Sequence, residues 1–199
     1  MPPPDEKDAM PLPAPVARKE NHLRTLSYQV FERTDGLWDI DATIRDSKSY
    51  PYFDHVRGRM APGDYIHNIA VRLTFDEGFG VHAVVPSFDD VPYLFCQGGG
   101  DNAHRLVGAN LMTGWRRSLS EALGDTGGCT HLREMLQNCA TVAFQAISAA
   151  REDRSQARSL DTHEIEARPP YIGRCHAMAE DGPVIARYFP QFHIPTGDD

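Results

Sequence analysis

The chain has 199 residues and a mass of 22.2 kDa, with 41% hydrophobic and 24% charged residues. That suits one globular domain with a real core and an appended segment. A formal net charge of −8 and a pI of about 5.5 argue against a sequence-independent grip on nucleic acid or an anionic membrane. Mean hydropathy is −0.45, and nothing approaches the roughly 20 apolar residues of a membrane span.

The first fifteen residues hold six prolines (Pro2, Pro3, Pro4, Pro11, Pro13, Pro15) and no apolar secretory run. They predict a disordered, polyproline-like arm over 1–20. Four cysteines without an export signal predict free thiols in the cytoplasm.

His22 to Arg33 alternates with rough period two, Thr34-Asp35-Gly36 turns the chain, and Leu37 to Arg45 alternates again. Two such runs around Asp-Gly predict a β-hairpin. In the second run Trp38, Ile40, Ala42 and Ile44 share one face, and Asp39, Asp41 and Thr43 the other. Residues 46–64, with Ser, Pro, Gly and charges, predict a long surface loop. Tyr65 to Phe75 and Phe79 to Val85, joined at Asp76-Glu77-Gly78, predict a second hairpin that ends at Pro86. Short helices are predicted over Asp101 to Val107 and Trp115 to Leu123.

Thr130 to Ala150 carries the clearest helical period, with Leu132, Leu136, Cys139, Ala143, Ala146 and Ala150 on one face. Residues 150–170 read as a charged connector, 171–192 as a packed tail and 193–199 as a flexible C-terminus. Strands first and helices later predict a single α+β domain over 21–192, an antiparallel sheet with helices on one face.

The strongest chemical signal is Gly127-Gly128-Cys129-Thr130-His131 at the start of the long helix. There the helix dipole and unpaired N–H groups favour a thiolate. With His131 in the same turn, Cys129 could join a metal site or form a nucleophile–base pair. The competing reading is a small buried cysteine beside a Thr130 cap. Cys96 precedes Gly98-Gly99-Gly100, which is no phosphate loop because no Gly-Lys-Ser/Thr follows. Cys139 falls on the apolar stripe and reads as structural. Cys175-His176 reads as incidental. Asp39 and Asp41 share a strand face that is either acid/base machinery or a solvated surface.

Asp35-Gly36-Leu37-Trp38-Asp39-Ile40, Ile66-His67, Gly128-Cys129-Thr130-His131-Leu132 and Cys175-His176-Ala177-Met178 with Asp181-Gly182-Pro183 resemble a bacterial family. That family is catalogued as domain of unknown function 2889. The resemblance spans residues 22 to 192 and supplies no reaction. From His67 to Ile147 the chain is also similar to iron–sulfur scaffold proteins of the IscU/SufU type. That likeness implies their topology, with His67 at the scaffold's metal-binding Asp position and Cys96 and Cys129 at its two later cysteines. Tyr65 stands where its first cysteine would be. The likeness also implies that His67, Cys96, Cys129 and His131 meet as a four-ligand site for zinc or iron.

Three functions stay open. The first is a small-molecule lyase or hydrolase, metal-assisted or cofactor-free, with His131, His67 and Asp39 as catalytic groups. Its substrate, aromatic or acyl, would sit in a pocket lined by Tyr65, Tyr93 and Trp115. The second is a metal or sulfur carrier that docks a cysteine desulfurase. The third is a non-catalytic interaction module, for which a homodimer is one form.

Overall fold

The computed structural model describes residues 12–156, 165 and 167–195. Both predicted hairpins form. β1 (His22–Glu32) pairs with β2 (Trp38–Lys48), and β5 (Tyr65–Phe75) pairs with β6 (Val81–Asp90). The first turn closes with the Arg33 amide donating to the Leu37 carbonyl at 2.9 Å. Gly36 takes φ +83 there, a conformation that favours glycine. β2 then pairs with β5, giving one antiparallel sheet in the order β1-β2-β5-β6.

Two strand boundaries correct the sequence expectation. The predicted loop over 46–64 is partly ordered. β2 runs on to Lys48 because β1 offers it a partner out to His22. Beyond it, β3 (Tyr52–Asp54) and β4 (Gly58–Met60) form a separate ribbon. Asp54 closes that ribbon by accepting the amides of Val56 and Arg57 at 2.9 and 2.8 Å. β6 passes through Pro86 to Asp90. Proline is tolerated because β6 is an edge strand, whose outer side pairs with no other strand at Pro86 among the described residues.

The predicted helix at 101–107 is the end of a longer 3₁₀ stretch, Leu94–Leu106. Its three successive glycines oppose a regular α-helix. α1 (Trp115–Leu123) forms as expected, and α2 spans Thr130–Gln156. The charged residues after Ala150 extend α2 by six positions, since they are helix-compatible and contain no proline. The rest of the charged connector, and most of the predicted N-terminal arm, fall on residues outside those described.

The core lies between α2 and one face of the sheet. Trp38, Ile40, Ala42 and Ile44 of β2 and Ile69, Val71, Leu73 and Phe75 of β5 are all buried. They cluster with Leu132, Met135, Leu136, Cys139, Ala143 and Ile147 of α2. Each fully buried large side chain contributes roughly 1.5–3 kcal/mol. Trp115 joins this core, and its indole N–H donates to the Leu136 carbonyl at 2.8 Å, so its polar edge is satisfied. In the tail, Ile172, Ile185 and Phe189 form a second small cluster around α3 (Pro183–Tyr188). Among the described residues no helix is long and apolar enough to cross a membrane.

Candidate active site

The site grows from the register of the sheet. On the core face, Leu26, Ile44, Ile69 and Phe88 form one apolar rung across four strands. The next rung is polar: Arg24 opposes Asp46, and Asp46 opposes His67. Asp46 and His67 are in phase with Ile44 and Ile69, so the pleat turns both toward the interior. A carboxylate is thereby carried into a buried position, at 1% exposure.

Burial of that charge is matched by donors. Asp46 Oδ1 accepts Arg24 Nε at 2.8 Å and His22 Nε2 at 2.9 Å. Asp46 Oδ2 accepts Arg24 Nη2 at 2.9 Å and His67 Nδ1 at 3.0 Å. Burial pushes the Asp46 carboxyl up, but the hydrogen bonds from Arg24, His22 and His67 and the Arg24 charge outweigh it. They hold it well below the usual carboxylate range. The carboxylate only accepts, so His67 must carry its proton on Nδ1, which leaves Nε2 with a free lone pair. Arg24 is itself held on its far side by Glu134 of α2, at 3.0 Å.

α2 brings the second half of the site. The intrahelical ladder starts with the Arg133 amide on the Cys129 carbonyl at 3.0 Å. The amides of Thr130, His131 and Leu132 therefore have no intrahelical acceptor at the positive end of a long helix. Cys129 is seated there by the glycine loop, where its amide donates to the Gly99 carbonyl at 2.9 Å. A Cβ on Gly99 would lie 2.8 Å from the Cys129 Cβ, so only glycine permits this approach. One turn of helix puts the His131 ring over His67, with centroids 4.0 Å apart. His131 Nδ1 is 3.8 Å from Cys129 Sγ, and its Nε2 is 3.8 Å from Asp46 Oδ2.

Both imidazoles are biased toward the neutral form. Burial lowers the His67 pKa against the opposing pull of Asp46. Burial also lowers that of His131, helped by its neighbours His67 and Arg24. Two rings at this distance resist taking two protons. The result is two imidazoles biased toward the neutral form and a half-buried thiol around one open cavity of about 390 Å³, with the Asp46 carboxylate fixed against His67 outside the cavity lining.

His67, His131, Cys129 and Cys96 all line this cavity. Asp39 does not reach it. It faces the other side of β2, where it accepts Thr74 Oγ1 at 2.6 Å and pairs with Arg33. The expected aromatic wall is also displaced. Asp46 to Ser47 spans one step on β2, while their partners His67 and Tyr65 lie two apart on β5. This bulge leaves Tyr65 exposed beneath the Arg45 guanidinium. Tyr93 is exposed as well. The Trp115 ring is buried and borders a different cavity of about 540 Å³ against α2. The apolar wall of this cavity comes instead from Ile69, Val91 and Phe95.

Asp46 was the residue missed by sequence, although it continues the inward phase of Trp38, Ile40, Ala42 and Ile44. Cys139 is buried in the core, where desolvation pushes its thiol up to about 12. Cys175 is exposed in the tail.

The donors closest to a metal geometry, among the described residues, are Asp46, His67 and His131, with one atom from each within 4.8 Å of the others. Two imidazoles and a carboxylate suit a divalent zinc or iron ion. Neither Cys96 nor Cys129 belongs to this group, so the four-ligand set expected from the scaffold likeness is not assembled. Asp46 already accepts four hydrogen bonds, which fill its lone pairs. A cation there would have to displace Arg24.

A model of the family described as protein of unknown function (DUF2889) matches residues 22–145. The matched segment holds the whole sheet and every residue of the polar rung and helix mouth. It stops short of Cys175-His176, which the sequence resemblance had included. No curated protein and no solved structure matches the chain, so the likeness to iron–sulfur scaffolds gains no support.

Proposed function

The chain belongs to the DUF2889 family, and from that premise, which fixes no reaction, we propose that it is a small-molecule hydrolase acting on acyl compounds. The observation that carries this reading is the line Cys129 Sγ, His131, Asp46 Oδ2, with both gaps at 3.8 Å. A nucleophile, a base and an orienting carboxylate in that order form a thiol-based triad, and such contacts are often looser without substrate.

The chemistry follows from the atoms. The Cys129 thiol gives its proton to His131 Nδ1 and its sulfur attacks the acyl carbon. The imidazolium so formed has Nε2 3.8 Å from Asp46 Oδ2, where the carboxylate steadies its charge without a direct hydrogen bond. The developing oxyanion lies toward the free amides at the mouth of α2. His131 returns the proton to the leaving group, and a thioester remains on Cys129. Water, deprotonated by an imidazole, then releases the acid and regenerates the thiol. His67, fixed by Asp46 with Nε2 unprotonated, is the second base available for this step.

The His67–Asp46 contact at 3.0 Å favours a second reading, a lyase in which His67 abstracts a proton and no covalent step occurs. One comparison separates the two. Purified protein is screened against small esters and thioesters beside its Cys129→Ala and His67→Asn variants. The hydrolase reading expects loss of about 10³-fold or more in kcat/KM for Cys129→Ala. It also expects an acyl adduct on Cys129, visible by mass spectrometry. Elimination rather than hydrolysis as the reaction, undiminished in Cys129→Ala and abolished in His67→Asn, would select the lyase reading instead.

A further inference from the structure

The two edges of the sheet are built differently. The outer side of β6 is blocked by Pro86, by the acidic pair Asp89 and Asp90 at its end, and by the 3₁₀ stretch packed beside it. Those are usual protections against strand addition. β1 has none of them. It is eleven residues long, and between Leu23 and Phe31 its only charge is Arg24. Leu23 and Phe31 are 49% and 47% exposed, one near each end. Among the described residues no strand pairs with its outer side.

The backbone phase of β1 is fixed at both ends. The Asn21 carbonyl accepts the Ser49 amide at 3.3 Å, and the Arg33 amide donates to Leu37. Odd-numbered residues therefore bond to β2, and even-numbered residues from His22 to Glu32 turn their N–H and C=O groups outward. We propose that this edge binds a second copy of the chain, with two β1 strands antiparallel about a two-fold axis at Ser27. The sheet then continues across both copies.

This register is self-complementary. Residues whose numbers sum to 54 face each other, so even positions meet even positions and every outward N–H finds an outward C=O. Leu23 faces the partner's Phe31, which covers both exposed apolar side chains. Thr25 faces the partner's Gln29. His22 faces the partner's Glu32. Leu26 faces the partner's Tyr28, joining the half-buried apolar surfaces that face α2. A shift of the axis by one residue to either side sets Leu23 against Gln29 or Arg33 and loses the apolar pair. The two-fold arrangement is isologous, as closed dimers require. It does not depend on the hydrolase reading.

Sedimentation equilibrium of the full chain tests it. The expected mass is twice 22.2 kDa. The variant Leu23→Lys/Phe31→Lys sets lysine against lysine and is expected to be a monomer with an unchanged circular dichroism spectrum. The charge-swapped Leu23→Lys/Phe31→Glu is expected to restore the dimer. Oxidised Ser27→Cys is expected to cross-link across the axis beyond the wild-type background. A monomeric wild type overturns the proposal, as does a dimer that survives the double lysine. A charge-swapped variant that stays monomeric, or a Ser27→Cys chain that fails to cross-link, overturns the register.

Discussion

Asp39 and Asp46 lie on the same strand, seven residues apart, and have opposite environments. Asp39 is on the solvent side of β2, bonded to Thr74 and paired with Arg33. Asp46 is on the core side, at the end of an apolar stripe, and accepts four hydrogen bonds in a buried position. An odd separation along a strand is what divides them. The carboxylate on the outer face is part-buried, held by one hydroxyl and an exposed arginine. The same carboxylate one register phase away becomes the pivot of a buried cluster that holds Arg24, His22 and His67.

The largest expected difference between the two is in stability. Asp46→Ala leaves Arg24 with Glu134 alone and frees His22 and His67. It is expected to cost about 3 kcal/mol or more in urea unfolding. Asp39→Ala is expected to cost less, about 1–2 kcal/mol, because Arg33 can rehydrate and only the buried Thr74 hydroxyl loses its partner. Equal costs would remove the distinction drawn here.

Acid sharpens the same contrast. The Asp46 pKa is depressed in the folded state, so its contribution is complete above the unfolded value of about 3.9 and is lost as pH falls below it. His67 and His131 are also depressed, which means that the folded state binds fewer protons than the unfolded one. Their contribution is present above about pH 6.5 and is lost as pH falls below it. Wild-type protein is thus expected to lose stability as the pH falls below about 6.5. A His67→Asn/His131→Asn chain is expected to lose less over that range, as read from denaturant midpoints.

Thiol labelling probes the helix mouth. Iodoacetamide is expected to modify Cys129 and to spare Cys139, whose thiol is buried and raised to about 12. His131→Ala is expected to slow the Cys129 reaction several-fold, whereas Asp39→Ala leaves it unchanged. The smallest effect belongs to Thr74→Val, which removes one hydrogen bond to Asp39. It is expected to cost less than Asp39→Ala, about 0.5–1 kcal/mol, and to leave thiol labelling unaffected.

The fold was largely legible because its signals are local. The Asp35-Gly36 turn, the alternation of Trp38, Ile40, Ala42 and Ile44, and the helical period from Leu132 to Ala143 each fix an element within a short window. The strand ends were not legible. Lys48 and Asp90 belong to strands because of partners far away in sequence, and an edge position excuses Pro86. At the site, Cys129, His131 and His67 carry visible chemistry. Asp46 was hidden because the strand reading ended at Arg45, one residue before the alternation placed a carboxylate inside. Tyr65 misled because a bulge, which has no signature in a single sequence, turned it outward.

The most direct measurement of the site is long-range nitrogen–proton NMR of the His67 and His131 rings across a pH titration. The predicted result is a neutral His67 with its proton on Nδ1 and a free Nε2, and both rings titrating below 6.5. A His67 ring protonated on Nε2, or rings that titrate at or above 6.5, would contradict the Asp46-centred site.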